Sequence, residues 1–136
     1  MNIRIATLKD YPFLEQNDKH IRLDEIKSLI KQKRIILAEV DNKIVGWLRW
    51  SLFWDNTPFM NMLYFLDGYR GKGYGRQLVT YWEKQMCQNG YDMVMTSTLS
   101  NEQAQHFYRK LGYVDRGSLL LPDEPLEIIF TKHFND

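Results

Sequence analysis

Hydrophobic and polar positions change their spacing several times along this chain, and each change marks an element. Residues 2–6 alternate, with Ile3 and Ile5 between polar neighbours, which predicts a short strand. Thr7 follows as a helix cap, with Asp10 three residues on as a capping box and Pro12 inside the first turns. Residues 23–33 carry Ile26, Leu29 and Ile30 at helical spacing, opposite a wet side of Lys27, Lys31, Gln32 and Lys33. The period then shortens to that of strands. Residues 34–40 read as a strand, 41–43 as a tight turn, and 44–53 as a longer strand rich in Trp, Val and Leu. A loop with Asp55, Asn56 and Pro58 leads to another apolar strand over 59–66.

A dense glycine loop over 67–75 opens a helix predicted over 75–88, with Leu78, Val79, Trp82 and Met86 on one face and Gly90 as its stop. Residues 91–98 read as a strand. A helix is expected over 101–111, capped by Asn101, with Ala104, Phe107, Tyr108 and Leu111 at helical spacing and Gly112 ending it. Two closing strands, 113–121 and 126–132, flank a Pro-Asp-Glu-Pro turn. The order β-α-α-β-β-β-α-β-α-β-β predicts an α/β (α+β) fold, a mixed sheet with helices packed on its faces. At 136 residues a single domain over 1–136 is expected.

Composition narrows the function. Hydrophobic residues at 44% and charged residues at 26% of both signs suit a folded globular chain. A net charge of +1 gives no overall field for nucleic acid or an anionic membrane, so neither is an expected partner and any anion site must be local. The N-terminal residues lack a signal-peptide pattern, and no apolar stretch approaches the roughly 20 residues that span a bilayer. Cys87 is alone and cannot form an internal disulfide, so a reducing, cytoplasmic setting is expected. It reads as a core or boundary side chain rather than a nucleophile. His20, His106 and His133 show no ligand spacing, and no metal site is expected.

Gly71, Gly73 and Gly75 stand at alternate positions, which costs chain entropy unless the backbone needs them. Their amides, followed at once by the unpartnered first amides of a helix, form an anion site, with Arg70, Lys72 and Arg76 adding local positive charge. A diphosphate is the natural guest; the plainer alternative is a glycine-rich turn with solvated basic residues. A mononucleotide P-loop is excluded, because Tyr74 and Gly75 stand where Lys and Ser/Thr must touch phosphate and Mg²⁺. A dinucleotide fingerprint fits poorly, since the chain offers G-x-G-x-G, in mid-chain.

Arg70-x-x-Gly73-x-Gly75 at a strand-to-helix junction resembles the acetyl-CoA pyrophosphate loop of the GCN5-related N-acetyltransferases (GNAT). The preceding residues, Leu63 to Gly73, also look like that family's strand-plus-loop signature, with Asp67 departing where proline is common. A second block, Asn101-x-x-Ala104-x-x-Phe107-Tyr108-x-Lys110-Leu111-Gly112-Tyr113, is similar to the family's other hallmark, and the resemblance covers nearly the whole chain. It implies a GNAT-like, mostly antiparallel mixed sheet of six to seven strands with about four helices. It implies acetyl transfer from acetyl-CoA to a primary amine of a small molecule or peptide. Relatives are often dimers, which leaves a homodimer open.

The resemblance also assigns roles. Leu63 and Phe65 would hold the pantetheine arm and polarise the thioester through their backbone. Arg70, Gly71, Lys72, Gly73, Tyr74, Gly75 and Arg76 would hold the pyrophosphate, and Asn101 the cofactor arm beside its capping role. Tyr108 matches the acid that serves the leaving thiolate, as a phenol protonated at neutral pH can; plain core packing is its other reading. Many relatives carry a glutamate as base where this chain has Asn61. Glu39, Asp55, Asp67 or a water chain could replace it, although each carboxylate also reads as a surface or turn residue. The acceptor pocket is expected near the first helix pair and the loop near Trp54, Asp55 and Asn56; Trp47, Trp50 and Trp54 are all placed on the third strand, with Trp47 and Trp50 filling core. The competing reading is a degenerate relative that binds acyl-CoA as a sensor or partner module without turnover.

Overall fold

The structure is a computed structural model that describes residues 1–134. The chain divides into two compact units, Met1–Ser51 with Met62–Val79, and Leu52–Asn61 with Thr80 onward. Strands β1 (Asn2–Ile5), β2 (Ile35–Val40), β3 (Lys43–Phe53), β4 (Thr57–Phe65), β5 (Met93–Leu99), β6 (Val114–Leu119) and β7 (Glu127–His133) make a seven-stranded mixed sheet. Among the described residues four α-helices accompany them: α1 (Tyr11–Asn17), α2 (Leu23–Lys31), α3 (Tyr74–Gln88) and α4 (Ala104–Lys110). The fold expectation therefore holds.

In the first unit the strand order is β1-β2-β3-β4. β1 pairs antiparallel with β2, setting Ile3 opposite Ala38 and Ile5 opposite Ile36. β2 pairs antiparallel with β3 through a turn at Asp41 and Asn42, both at positive φ (52° and 63°) as a two-residue hairpin with right-handed twist requires. Helices α1 and α2 bury Leu14, Ile26 and Ile30 against Leu37 and Trp47, the helical stripe meeting the alternating strand face. Thr7 and Asp10 form the expected capping pair, the Thr7 N–H donating to Asp10 Oδ2 at 2.8 Å, but a 3-10 turn (Leu8–Asp10) precedes α1. α2 is two residues shorter than the pattern suggested, because Lys33 takes φ 61° and turns the chain into β2.

In the second unit the order is β4-β5-β7-β6. β4 runs parallel to β5, with Phe59 opposite Met95 and Met60 opposite Thr96, while β5–β7 and β6–β7 are antiparallel. Leu78 and Val79 of α3 are buried in the first unit, and Trp82 and Met86 are buried in the second, the face the sequence predicted.

Several expectations need correction. Pro58 is not in the loop but inside β4, where it is buried. Trp54 lies beyond β3 in the β3–β4 turn, at φ 54° next to Asp55 at φ 64°, and is 79% exposed. Cys87 is exposed rather than core or boundary, since the buried face of α3 passes through Trp82 and Met86 instead. Asn101 does not cap α4: that helix starts at Ala104 with Gln103 in the cap position and no side-chain cap bond. A turn closed by the Glu102 N–H on the Leu99 carbonyl (3.1 Å) uses up the residues in between, so the helix starts later than its hydrophobic spacing suggests.

Candidate active site

The glycine loop lies in the first unit, between the end of β4 and the start of α3. Gly68, Gly71 and Gly73 take φ of 89°, 72° and 82°, conformations that side chains resist, which accounts for three of the four glycines in this loop. A Cβ added at any of the three would meet nothing within 4 Å, so the requirement is backbone conformation and not crowding by protein. Gly75 lies within the first turn of α3. Among the described residues, the N–H groups of Gly71, Lys72 and Gly73 make no hydrogen bond to protein. Gly73 instead offers its carbonyl to the Gln77 N–H (3.2 Å), which starts the helix. Free amides, those of Gly71 and Gly73 at positive φ, ahead of a 15-residue helix make an anion cradle by geometry and dipole together.

The basic residues divide in their roles. Arg70 is built into the frame of the loop: its Nε donates to the Phe65 carbonyl at 2.8 Å and its guanidinium lies 4.8 Å over the Tyr64 ring. An exposed ion pair to Asp67 (3.3 Å) further occupies it. Lys72 and Arg76 are exposed, with Lys72 Nζ 5.9 Å from the Tyr69 ring centroid. They are the cations left to meet an incoming anion. Tyr74 packs its ring 6.2 Å from that of Phe65. Phe65 is buried against Gly46, where a Cβ would overlap its ring. Leu63 is partly buried on β4. Thus Leu63, Phe65, Arg70, Gly71, Lys72, Gly73, Tyr74, Gly75 and Arg76 all lie in one strand–loop–helix segment of the first unit.

Tyr108 and Asn101 belong to the second unit. Tyr108 is 7% exposed, with Phe107, Tyr113 and Phe130 rings at 5.3, 5.7 and 6.0 Å. Burial pushes its phenol up to about 12, with the Glu102 charge adding to the rise and a hydrogen bond with Thr96 opposing it. Tyr108 therefore carries its proton throughout the physiological range. Asn101 is exposed beyond the end of β5.

The carboxylates offered as bases are differently placed. Glu39 accepts from Asn2 Nδ2 (3.0 Å) and pairs with Arg4 (3.1 Å), which holds its pKa below the ordinary carboxylate value. Asp67 is tied to Arg70, and Asp55 sits in the exposed β3–β4 turn. Trp47 and Trp50 are buried, as expected of core residues.

Sequence spacing did not reveal two buried polar clusters. In the first unit, Asp18 Oδ2 accepts from Arg49 Nε (2.7 Å) and from Trp47 Nε1 (3.1 Å). In the second, Glu83 accepts from the Tyr113 hydroxyl (2.7 Å) and from Lys132 Nζ (3.0 Å), and burial, with the nearby negative charge of Glu83, raises the Tyr113 pKa well above its ordinary value. Each joins residues about 30 or more apart in the chain. Their only sequence signal is a charged residue amid apolar neighbours: Arg49 between Leu48 and Trp50, Glu83 after Trp82. Among the described residues no three His, Cys, Asp or Glu side chains could together hold a metal ion, and no helix is long and apolar enough to cross a membrane.

The acetyltransferase (GNAT) family pattern matches residues 3–113, and this chain belongs to that family. Among solved structures, a GNAT acetyltransferase from Bacillus cereus ATCC 10987 is similar at 26% identity and TM-score 0.79, over 97% of this chain and 96% of that one. Arabidopsis thaliana Naa50, solved with the bisubstrate analogue CoA-Ac-MVNAL, shares the fold at 16% identity and TM-score 0.80, over 98% of each chain. PaiA N-acetyltransferase from Thermoplasma acidophilum, in complex with coenzyme A, does so at 17% identity and TM-score 0.72, again over 98% of each. A comparison with curated proteins gives no match.

Proposed function

We propose that this chain is a cytoplasmic N-acetyltransferase that moves acetyl from acetyl-CoA to a primary amine of a small molecule or peptide by direct attack. The observation that carries the reading is the glycine loop, whose free N–H groups at Gly71, Lys72 and Gly73 precede α3. These amides, with Lys72 and Arg76, suit the coenzyme's diphosphate; the backbone of Leu63 and Phe65 would hold the pantetheine arm, with the Phe65 carbonyl already held by Arg70. That related folds were solved with coenzyme A or a CoA analogue is in keeping with this.

In this reading the amine nitrogen attacks the thioester carbon, and a C–N bond forms as the carbonyl oxygen takes the electron pair. Collapse of the tetrahedral intermediate breaks the C–S bond and leaves the pair on sulfur. Tyr108 is the group proposed to serve that sulfur. With its phenol at about 12, full transfer to a thiolate of pKa about 8.5 is uphill by roughly 5 kcal/mol. Tyr108 thus acts chiefly as a hydrogen-bond donor to the developing thiolate, and any phenolate formed recovers its proton from the acylated nitrogen, which must lose one. Net, one proton passes from amine to thiol.

The amine must first be neutral, and a lysine-like amine is only about one part in a thousand so at pH 7. With Asn61 at the usual glutamate position and Glu39 and Asp67 both ion-paired, a water chain is the better carrier of that proton. The same observation favours the second reading, a module that binds acyl-CoA without turnover. Release of free thiol from acetyl-CoA over a panel of amines, with mass spectrometry of the products, separates them. A new acetamide supports the enzyme; saturable acetyl-CoA binding with no thiol release against any amine supports the module.

A further inference from the structure

Helix α4 has only seven residues, too few to hold its shape without help at its ends. Gly112 takes φ 95° just beyond it, and the chain closes in a Schellman motif. The Tyr113 N–H donates to the Tyr108 carbonyl (3.1 Å), and the Gly112 N–H to that of Arg109 (3.1 Å). Tyr113 also meets Tyr108 by its side chain, the two rings packing edge to face at 5.7 Å and 65°. Phe130 lies 6.0 Å from the same Tyr108 ring. One residue thus holds Tyr108 by main chain and by ring.

Ring packing alone fixes a direction weakly, because apolar contact is non-directional. A hydrogen bond at the far end of the bracing ring is directional. The Tyr113 hydroxyl donates to Glu83 Oε2 on α3 at 2.7 Å, and Glu83 Oε1 accepts from Lys132 Nζ on β7 at 3.0 Å. Tyr113 and Glu83 are both buried, and all of these residues belong to the second unit. Enclosing a carboxylate carries a desolvation cost that its partners only about offset, and apolar side chains of similar volume often stabilise a fold as well. What the carboxylate adds is a fixed position for the Tyr113 hydroxyl. Such a brace matters where the ring it supports must be aimed, since misplacing a reacting group by about 1 Å costs roughly a hundredfold in rate.

We propose that Tyr113 is a positioning residue for the acetyl transfer, with Glu83 as its anchor: the α3 carboxylate pins the Tyr113 ring, and Tyr113 keeps the Tyr108 phenol aimed through the main-chain bond and the ring contact. This rests on the reading in which Tyr108 serves the leaving sulfur. Neither Tyr113 nor Glu83 exchanges a proton in the reaction; the proton and electron pair move as in that reading.

The test is steady-state acetylation of an accepted amine by the full chain and its Tyr113→Phe, Glu83→Gln, Glu83→Leu and Tyr108→Phe variants, with the Tyr108→Phe/Tyr113→Phe double variant. Tyr113→Phe keeps the ring and the helix cap and loses only the anchoring hydroxyl. Its kcat should fall about five- to fiftyfold, with KM for acetyl-CoA within about twofold. Both Glu83 variants lose the charge that pairs with Lys132, but glutamine still hydrogen-bonds the Tyr113 hydroxyl whichever way its amide lies. Glu83→Gln should therefore keep most of kcat, and Glu83→Leu should lose as much as Tyr113→Phe. If Glu83→Leu fails to fold, Tyr113→Phe decides alone. In the Tyr108→Phe background Tyr113→Phe should add nothing, whereas a merely structural loss would lower kcat in both backgrounds alike. Wild-type kcat in Tyr113→Phe, or losses that multiply in the double variant, would overturn the role of Tyr113, while an impaired Tyr108→Phe would leave that of Tyr108 standing. Equal kcat in the two Glu83 variants would overturn Glu83 as the anchor. Full activity in Tyr108→Phe, or a wild type that accepts no amine, would overturn the roles of Tyr108 and Tyr113 together.

Discussion

Replacing Asp18 by leucine removes the anion from an enclosed ion pair in the first unit. The Asp18 and Arg49 side chains are 1% and 8% exposed, and the carboxylate accepts from both Arg49 Nε and Trp47 Nε1. Without it a guanidinium and an indole N–H lose their acceptor, out of reach of bulk water. An unpaired buried cation costs about 3–5 kcal/mol, against a total stability of about 5–15 kcal/mol for a typical domain. At about 3 °C per kcal/mol for a chain of this size, Asp18→Leu should lower Tm by about 9–15 °C. Replacing both partners by apolar residues of similar volume removes the unpaired charge, so the Asp18→Leu/Arg49→Met double variant should recover most of the loss. Urea unfolding followed by far-UV circular dichroism on wild type, both single variants and the double gives the coupling energy directly, expected at about 2 kcal/mol or more. If each single variant costs less than about 1 kcal/mol and the two losses add, the pair is not enclosed as described and the reasoning fails.

Further outcomes follow from other sites. Tyr108→Phe should lower kcat about ten- to a hundredfold with acetyl-CoA affinity nearly intact, and in the wild type no loss of rate traceable to this phenol should appear below about pH 11, since burial holds it at about 12. Arg4 holds the Asp10 carboxylate below its ordinary pKa of 3.8; a depressed folded-state pKa contributes stability above the unfolded value and loses it as pH falls through the folded one. Arg4→Met should therefore destabilise the protein at pH 7 and flatten the loss of stability as pH falls below the ordinary carboxylate range, as read from Tm against pH. Asp55 stands at φ 64° in the second position of the β3–β4 turn, where glycine fits better; Asp55→Gly should raise Tm by about 2–3 °C, and an unchanged or lower Tm would show that the Asp55 side chain contributes there.

Much of the fold was legible because the chain changes period where it changes element. Ile26 and Ile30 on α2, and Leu78, Val79, Trp82 and Met86 on α3, are buried as their spacing predicts. The glycine loop was legible because positive φ leaves a direct mark in residue type, at Gly68, Gly71 and Gly73. Ends of elements were harder. Asn101 carried a cap signal, but the Leu99–Glu102 turn, a local hydrogen bond without a sequence signature, delayed α4 to Ala104. Pro58 suggested a loop, yet its lack of an N–H is tolerated within β4. What spacing could not supply were contacts between distant residues: Asp18 with Arg49, Glu83 with Tyr113 and Lys132, and Thr96 with the Met60 carbonyl.

The most direct measurement is calorimetric titration of acetyl-CoA into the wild-type chain and into Gly73→Val. Gly73 sits at φ 82° with open space around it, so valine strains the loop backbone and covers its N–H groups without colliding with the core. Saturable one-to-one binding by the wild type, absent from a folded Gly73→Val, is the predicted result. Coenzyme bound equally well by both proteins would contradict it, as would a wild type that takes up none.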